Sequence, residues 1–411
     1  MIGGPTFDRF VRSVRERLFV PQADDRRRIG LEIELLPMLA DSARPCPLER
    51  GDDARSTLGF LRPYGIAAGW REHRSAKGAP YFGLPNGWTL TFEPGGQIEL
   101  CTTPSASVSA LAREASDALT RLRGAAGDAG IDLLSVGIDP VNDISSVPLQ
   151  LESPRYVAMT RYFERIGPSG VRMMRQTAAT QVSVDAGREP EDRWRFLSDL
   201  TPYLTALFAN STRYAGEESG FQSFRAHCWR SLDASRTGVP HPELTACEGY
   251  ARFALDAFDM TRTDERGEYR SFADWVLAGH GDAAEWENHL TTLFPEVRPR
   301  GHLEVRSLDA LPPEEIIAPA VLIAGLTYDA RAAAEARHVV PMIRADMLNR
   351  AARCGLYDSE IASVATELVR IALRGAAALG ENFVTAADVE RAGELTLTRL
   401  RATPTSVAAS S

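Results

Sequence analysis

The chain predicts an α+β fold: a mostly antiparallel sheet, cupped and acidic on one face and backed by helices, followed by a helical C-terminal region. Three observations carry that expectation. Segments far apart in sequence alternate aliphatic and polar residues with the period of two that a half-buried strand requires. Their polar positions are acids or amides: Glu32 and Glu34, Glu93 with Gln97 and Glu99, Gln181, and Glu304 beside Arg306. Beyond Pro312 the apolar spacing turns helical as far as about Arg401.

Thr6 to Phe19 gathers Phe7, Phe10, Val11, Val14 and Leu18 on one helical face. After the charged loop ADDRRR, Ile29, Leu31, Ile33 and Leu35 alternate with Gly30, Glu32, Glu34 and Leu36, which puts both glutamates on one face of a strand. Pro45 to Tyr64 reads as loop with a short helix. Tyr81 to Leu84 and Trp88 to Glu93 flank Pro85-Asn86-Gly87, and Asn-Gly favours a tight hairpin turn. The second arm runs into Thr91 to Leu100, TFEPGGQIEL. Pro94 restricts one backbone angle while Gly95 and Gly96 permit a sharp bend, so Glu93 and Glu99 can face one small volume. An exposed hairpin with two solvated acids has the same pattern; the other acid-bearing strands favour a shared cleft.

Ser105 to Gly127 reads as a long helix and Ile131 to Ile138 as a buried strand. A helix over Pro154 to Ile166 stops at Gly167-Pro168, and Val171 to Asp185 ends as a strand with Gln181, Ser183 and Asp185 on one face. Glu191 to Asn210 reads as a helix bent near Pro202. Gly216 to Gly249 reads as loop, dense in Arg225, His227, Trp229, Asp233 and Arg236. Gly301 to Leu308 is the last strand, with His302, Glu304 and Arg306 on one face. Helices follow over Glu314 to Arg337, Pro341 to Arg353 and Ser359 to Ala377, and a final one opens at Thr385 with Asp388 in a capping-box position. The tail ATPTSVAASS is expected to fray. Neither a repeat nor a polar linker divides the sequence, so a single catalytic domain is expected over residues 1–411, with 313–401 an integral helical region.

Composition removes several function classes. A net charge of -9, spread along the chain, argues against a nucleic-acid groove. The longest apolar run, Ile316 to Leu326, contains Pro319 and is too short to cross a bilayer, and the N-terminus lacks a signal pattern. The five cysteines are odd in number and lack a C-x-x-C pair, which fits a reduced, cytoplasmic setting. Lys77 is the only lysine among 46 basic residues. Walker-type, protein-kinase and pyridoxal chemistries therefore lose their central residue unless Lys77, in HRSAKGAP, supplies it. Phosphate handling would fall to arginine, backbone and metal.

Five glutamates on one surface cannot all stay ionised without cations. Oxygen ligands, with no Cys or His pair at zinc spacing, select Mg2+ or Mn2+ before Ca2+ or Zn2+. Arg225, Arg236 and Arg306 suit a substrate carboxylate and a transferring phosphoryl group. That combination is what an ATP-dependent carboxylate activator requires, since an acyl phosphate is open to attack by an amine.

GLEIE, TFEPGGQIEL, MMRQTAATQVSVD, ALFANS, SFRAHCWRSLDASRTG and HLEVRSLD, in this order, resemble the glutamate-cysteine ligases of the plant-type and actinobacterial branch. The likeness runs from about Gly30 to Asp309, and members serving ergothioneine synthesis look closest. The spacing R-x-H-x-W-x-x-x-D-x-x-R-T-G, Arg225 to Gly238, is its most specific part. The resemblance implies a glutamine synthetase/guanidino kinase-like fold and ATP-dependent joining of the L-glutamate γ-carboxylate to L-cysteine through a γ-glutamyl phosphate. It also implies two or three Mg2+ ions, with Mn2+ an alternative. Positions matching the metal cluster are Glu32, Glu34, Glu93, Glu99, Glu304 and Gln181, where a related branch uses His. Arg225 matches the arginine holding the glutamate α-carboxylate, with Thr177 and Met174 lining that pocket, and Arg306 faces the transferred phosphoryl group. Arg236, Asp233 and Gln97 are assigned to the nucleotide, and Tyr156 and Tyr162 are candidates for the cysteine side. His227 is expected to orient by hydrogen bonding rather than to ligate. Where plant members read MMLRT, this chain has Met173-Met174-Arg175-Gln176-Thr177.

No acceptor motif can be transferred, so a ligase joining glutamate to a different amine is the alternative reading. Two others come from different classes: a non-catalytic binder, which would hold ligand without forming ADP, and a structural Ca2+ protein, which would leave Arg225 and Arg306 without a role. Small-molecule substrates, no nucleic acid, no membrane and a monomer or weak homodimer complete the expectation.

Overall fold

The period-two pattern from Ile29 becomes strand β1 (Ile29–Leu39), whose Ile29, Leu31, Ile33 and Leu35 are fully buried while Glu32 and Glu34 are half-buried. The structure is a computed structural model that describes residues 2–24, 26–51, 55–238 and 243–402. The strands after β1 are β2 (Arg71–Arg74), β3 (Pro80–Gly83), β4 (Thr89–Phe92), β5 (Ile98–Cys101), β6 (Ile131–Leu134) and β7 (Thr180–Asp185). A small ribbon, β8 (Arg213–Tyr214) and β9 (Glu217–Glu218), precedes β10 (Val297–Pro299) and β11 (His302–Val305).

The main sheet runs β10-β11-β7-β1-β5-β4-β3-β2, and β1 is long enough to pair with β6 at its far end. All pairings between these strands are antiparallel. Register decides what the sheet presents, because residues opposite one another point to the same face. Glu34 lies opposite Glu99, Glu32 opposite both Cys101 and Gln181, and Glu304 opposite Ser183. Acids from β1, β5 and β11 therefore share one face with Gln181 of β7.

The other face is aliphatic and is covered by helices Val108–Asp128, Pro190–Leu207 and Ile317–Tyr328. The last of these is apolar all round, as its burial demands. It packs on Ser359–Ala378 and Ala386–Arg401, so the C-terminal helices back the sheet. Thr385 caps the final helix as its sequence predicts, its hydroxyl accepting from the Asp388 backbone N–H. Of the tail, only Ala402 falls among the described residues.

Several elements differ from the sequence reading. Pro168–Gln176 is a helix, so the segment from Val171 that ends as a strand becomes one only at Thr180; Pro168 sits in the helix's first turn, where a missing N–H costs nothing. The described residues of the span Gly216 to Gly249, read as loop, include helices: Phe224–Leu232 is capped by Ser223, Ala234–Thr237 by Asp233, and Ala246–Asp256 by a Thr245/Glu248 capping box. The helix expected over Glu314 to Arg337 breaks at Asp329, which caps Ala330–Val339. The strand from Ile131 stops at Leu134, and the short strands β2 and β10 were not anticipated. Among the described residues no single helix is long and apolar enough to cross a membrane, and Cys101, Cys228, Cys247 and Cys354 are free thiols.

Candidate active site

Glu32, Glu34, Glu93 and Glu99 line one cleft of about 740 Å³ together with Gln181, Arg225 and Arg306. The Pro-Gly-Gly turn makes this convergence. Glu93 N–H donates to Gln97 O at 2.9 Å and Gly96 N–H to Glu93 O at 2.8 Å, closing the bend between the two glutamates. Gly96 adopts φ +88°, and a Cβ on Gly95 would lie 2.0 Å from the Arg175 carbonyl oxygen, so the turn is seated directly on the end of helix Pro168–Gln176. Gln97 fastens it there: its Oε1 accepts from Gly95 N–H, and its Nε2 donates to Met174 O and Thr177 O. This docking brings Met174 and Thr177 to the cleft beside Glu93.

The acidic floor is electrostatically frustrated. Burial, then the charge of Glu304, pushes the Glu32 carboxyl up to about 7. Burial does the same to Glu34, also to about 7, against the opposing pull of Arg225. Glu93 rises to about 8 through burial and Glu34, and Glu99 is raised well above the usual carboxylate range by burial, Glu93, Glu32 and Glu34. Glu34 accepts from Ala179 N–H at 2.8 Å and Gln181 Nε2 at 3.1 Å, and Glu99 from Thr91 Oγ1 at 2.6 Å. Among the described residues no donor reaches the Glu32 or Glu93 carboxylate. Cys101 completes this corner, with one ligand atom each from Glu32, Glu99 and Cys101 within 4.8 Å of one another.

A cationic wall faces the floor. Helix Phe224–Leu232 supplies Arg225, whose side chain is 4% exposed, and the chain just past β11 supplies Arg306. Arg225 Nη2 donates to Arg306 O at 2.8 Å and lies on the Asp309 side of the cleft, Nη1 being 3.9 Å from Oδ1. Asp309 is held by Asn210 N–H and the Ser211 and Ser223 hydroxyls. Arg306 Nε donates to Gln181 Oε1 at 3.1 Å, while its Nη1 is buried with no partner. The Trp229 ring lies under both guanidiniums, 5.4 Å from Arg225 and 5.0 Å from Arg306, a cation–π platform that holds two like charges close together.

Met174, Thr177 and Tyr156 line the cleft, although the Thr177 hydroxyl is turned back to Met173 O. Glu304 is placed differently. It is fully buried, with its carboxylate 3.4 Å from Arg298, 3.6 Å from Arg300 and 3.5 Å from Arg306, arginines that offset its charge without a hydrogen bond to either oxygen. Gln97 lines the cleft, but its amide is consumed by the turn. Arg236 is wholly buried, its nitrogens donating to Asp233, Thr292 O and Phe258 O, and Tyr162 stacks on it and donates to Asp233. Arg236, Asp233 and Tyr162 thus form a brace beneath the site, and neither Arg236 nor Asp233 faces the cleft in this conformation. His227 stacks on Phe221 at 4.1 Å, away from the cleft lining.

Sequence reasoning did not single out Arg155, Arg298, Arg300, Tyr250 and Cys101, all of which line the cleft, whereas Trp229, named with the Arg225 segment, does line it. For Arg298 the signal was present: buried Val297 and Pro299 alternate with Arg298 and Arg300, the same period-two pattern carried back across Gly301.

The profile of glutamate-cysteine ligase family 2 matches residues 28–394. The chain is 36% identical over 377 residues to the glutamate–cysteine ligase EgtA of Mycobacterium tuberculosis, covering 84% of this chain and 79% of that protein. It is 32% identical over 324 residues to the chloroplastic glutamate–cysteine ligase of Medicago truncatula, covering 74% of this chain and 62% of the plant protein. The chain therefore spans less than two thirds of that plant relative's length. In fold it is similar to the glutamate–cysteine ligase of Francisella tularensis solved with AMP, at a TM-score of 0.53 and 12% identity over 93% of this chain and 83% of that one. An acidic floor gathered by strand register, an arginine wall facing it and a profile match over nearly the whole chain lead to one statement: this chain belongs to glutamate-cysteine ligase family 2.

Proposed function

We propose that this chain joins the γ-carboxylate of L-glutamate to the amine of L-cysteine at the expense of ATP, through a γ-glutamyl phosphate. The observation that carries the reading is the opposition of four frustrated carboxylates to the paired guanidiniums of Arg225 and Arg306 across one cleft. Arg225 receives the α-carboxylate of glutamate, which leaves the γ-carboxylate free to attack the terminal phosphorus of ATP and expel ADP. The unpartnered Nη1 of Arg306 is a ready donor to the transferring phosphoryl oxygens. Attack of the acceptor amine on the acyl carbon then forms the amide and releases phosphate.

The donor set fits hard divalent cations. Half-buried carboxylate oxygens that push one another toward neutrality are held ionised by a bound cation, and Glu32, Glu34, Glu93 and Glu99 would hold Mg2+ or Mn2+, in two or three sites. When bound, such ions offset charge on the nucleotide phosphates and the transferring group. In this reading Gln181 orients Glu34 and Arg306, and the whole chain acts as one catalytic unit, cytoplasmic and monomeric or weakly dimeric. The likeness to the actinobacterial relative supports a place in ergothioneine or related thiol synthesis.

Incubation with ATP, Mg2+ and L-glutamate tests the proposal. Phosphate release that depends on L-cysteine, with γ-glutamylcysteine as product, is expected. Release that shows no preference among amines, or tight ligand binding without ADP formation, would overturn it.

A further inference from the structure

Two guanidiniums of the cleft wall have no part in the reaction outlined above. Arg155, near the start of helix Pro154–Ile166, is tied at one end only, Nη2 donating to Thr291 O at 2.7 Å; its Nε is buried and unpartnered. Arg298, on β10, donates Nη2 to Leu293 O at 3.3 Å and stands 3.4 Å from Glu304 through Nη1; its Nε is also buried and unpartnered. Among the described residues no carboxylate comes within ion-pair distance of Arg155. Both side chains line the cleft, and both act electrostatically on Glu93. Burial depresses the affinity of Arg155 for its proton, and the neighbouring charge of Arg298 adds to that.

Buried N–H donors on two like charges are a costly arrangement unless an acceptor arrives with the ligand. A guanidinium edge presents its N–H groups in a fixed fork suited to an oxyanion. We propose that Arg155 and Arg298 form a second oxyanion seat in the cleft, distinct from Arg225 and Arg306, which grips a carboxylate or phosphate oxygen of a bound substrate. The inference rests on the ligase reading for the two sources of that oxyanion: the carboxylate of the amine acceptor and the phosphates of the nucleotide. If the acceptor supplies it, the enzyme selects amino acids over simple amines, the specificity that no sequence motif disclosed.

Arg155→Gln and Arg298→Gln test the seat, with Arg155→Lys and Arg298→Lys as folded controls that keep the charge and lose the fork. L-cysteine and cysteamine differ only by the carboxylate. If the seat holds that carboxylate, the KM for L-cysteine rises roughly tenfold or more in the Gln variants, as expected for losing a charge-assisted bond, while that for cysteamine does not move. If it holds phosphate, the calorimetric Kd for ADP with Mg2+ rises by a similar factor and the L-cysteine KM does not. Constants that all stay at the wild-type value, or that all shift together, would overturn the proposal. Should the wild-type protein form no γ-glutamyl product, the ligase reading fails. Calorimetric titrations of wild type and variants with ADP, L-cysteine and cysteamine still decide the seat: selective weakening of one oxyanion ligand supports it, and equal binding removes it.

Discussion

The floor and the wall of the cleft are built by different means. The floor is strand register: once β1 lies between β5 and β7, Glu34 must face Glu99 and Glu32 must face Gln181, and a slip of one residue would turn every acid into the core. The wall is assembled from separate segments, Arg225 and Trp229 from a capped helix, Arg155 from another, and Arg298 and Arg306 from the two sides of the β10–β11 turn. Its members are held by backbone carbonyls, Trp229 and Glu304. A register-built surface tolerates mutual repulsion because the backbone holds it in place. A wall of separate pieces needs internal counter-charges, and Glu304 supplies one.

This difference predicts opposite behaviour for two glutamates that look alike in sequence. Glu99→Gln is expected to lower turnover by roughly 100-fold or more, with the far-UV CD spectrum unchanged. In metal-free protein the same change should raise the melting temperature, because a repelling carboxylate has been removed. Glu304→Gln leaves three guanidiniums around an uncharged amide and is expected to cost about 3–5 kcal/mol of stability, read as the urea midpoint. If Glu304→Gln were instead neutral in stability and as inactive as Glu99→Gln, Glu304 would belong with the floor and the contrast would collapse.

A smaller effect sharpens the same comparison at the turn. Gly95→Ala sets a methyl against the Arg175 carbonyl, so the turn must lift from helix Pro168–Gln176 and carry Glu93 with it. Overpacking of this kind costs about 1–3 kcal/mol. Stability and turnover should fall together, whereas a lost turnover at unchanged urea midpoint would mean that the turn positions Glu93 without supporting the fold.

How much of this was legible follows from the two construction methods. The alternation of Ile29, Leu31, Ile33 and Leu35 with polar positions discloses β1 and its acidic face directly, and TFEPGGQIEL discloses the bend, because both signals are local. Thr385 with Asp388 and the Pro154–Ile166 helix were legible for the same reason. The destination of Arg236 was not. Its motif spacing matches a family position, but full burial against Thr292 and Phe258 depends on segments more than twenty residues away. The helices within Gly216 to Gly249 were signalled by Ser223, Asp233 and Thr245 at their caps, and the density of polar side chains obscured them. Glu304 and Arg298 face each other across β10–β11, a pairing that a three-residue strand is too short to announce.

The smallest predicted effect isolates the floor from everything else in the molecule. An unfolded glutamate titrates near 4.5, whereas the folded protein raises Glu32 and Glu34 to about 7 and Glu93 to about 8. Between these values the folded state binds more protons than the unfolded state, so the sign is fixed: the floor's contribution to stability falls as pH rises from about 4.5 through about 8, and Glu99, also raised, acts in the same direction. A divalent cation bound by the carboxylates opposes that fall, and it competes with protons for the same oxygens. Millimolar Mg2+ measured against chelator should therefore raise the melting temperature by a few degrees at pH 8 and by much less at pH 5.5. In Glu99→Gln the increment at pH 8 should shrink, and in Arg225→Lys, which leaves the floor intact, it should persist. An increment of equal size at both pH values would place the cation away from the floor and dissolve the distinction between a surface waiting for charge and a wall that already has it.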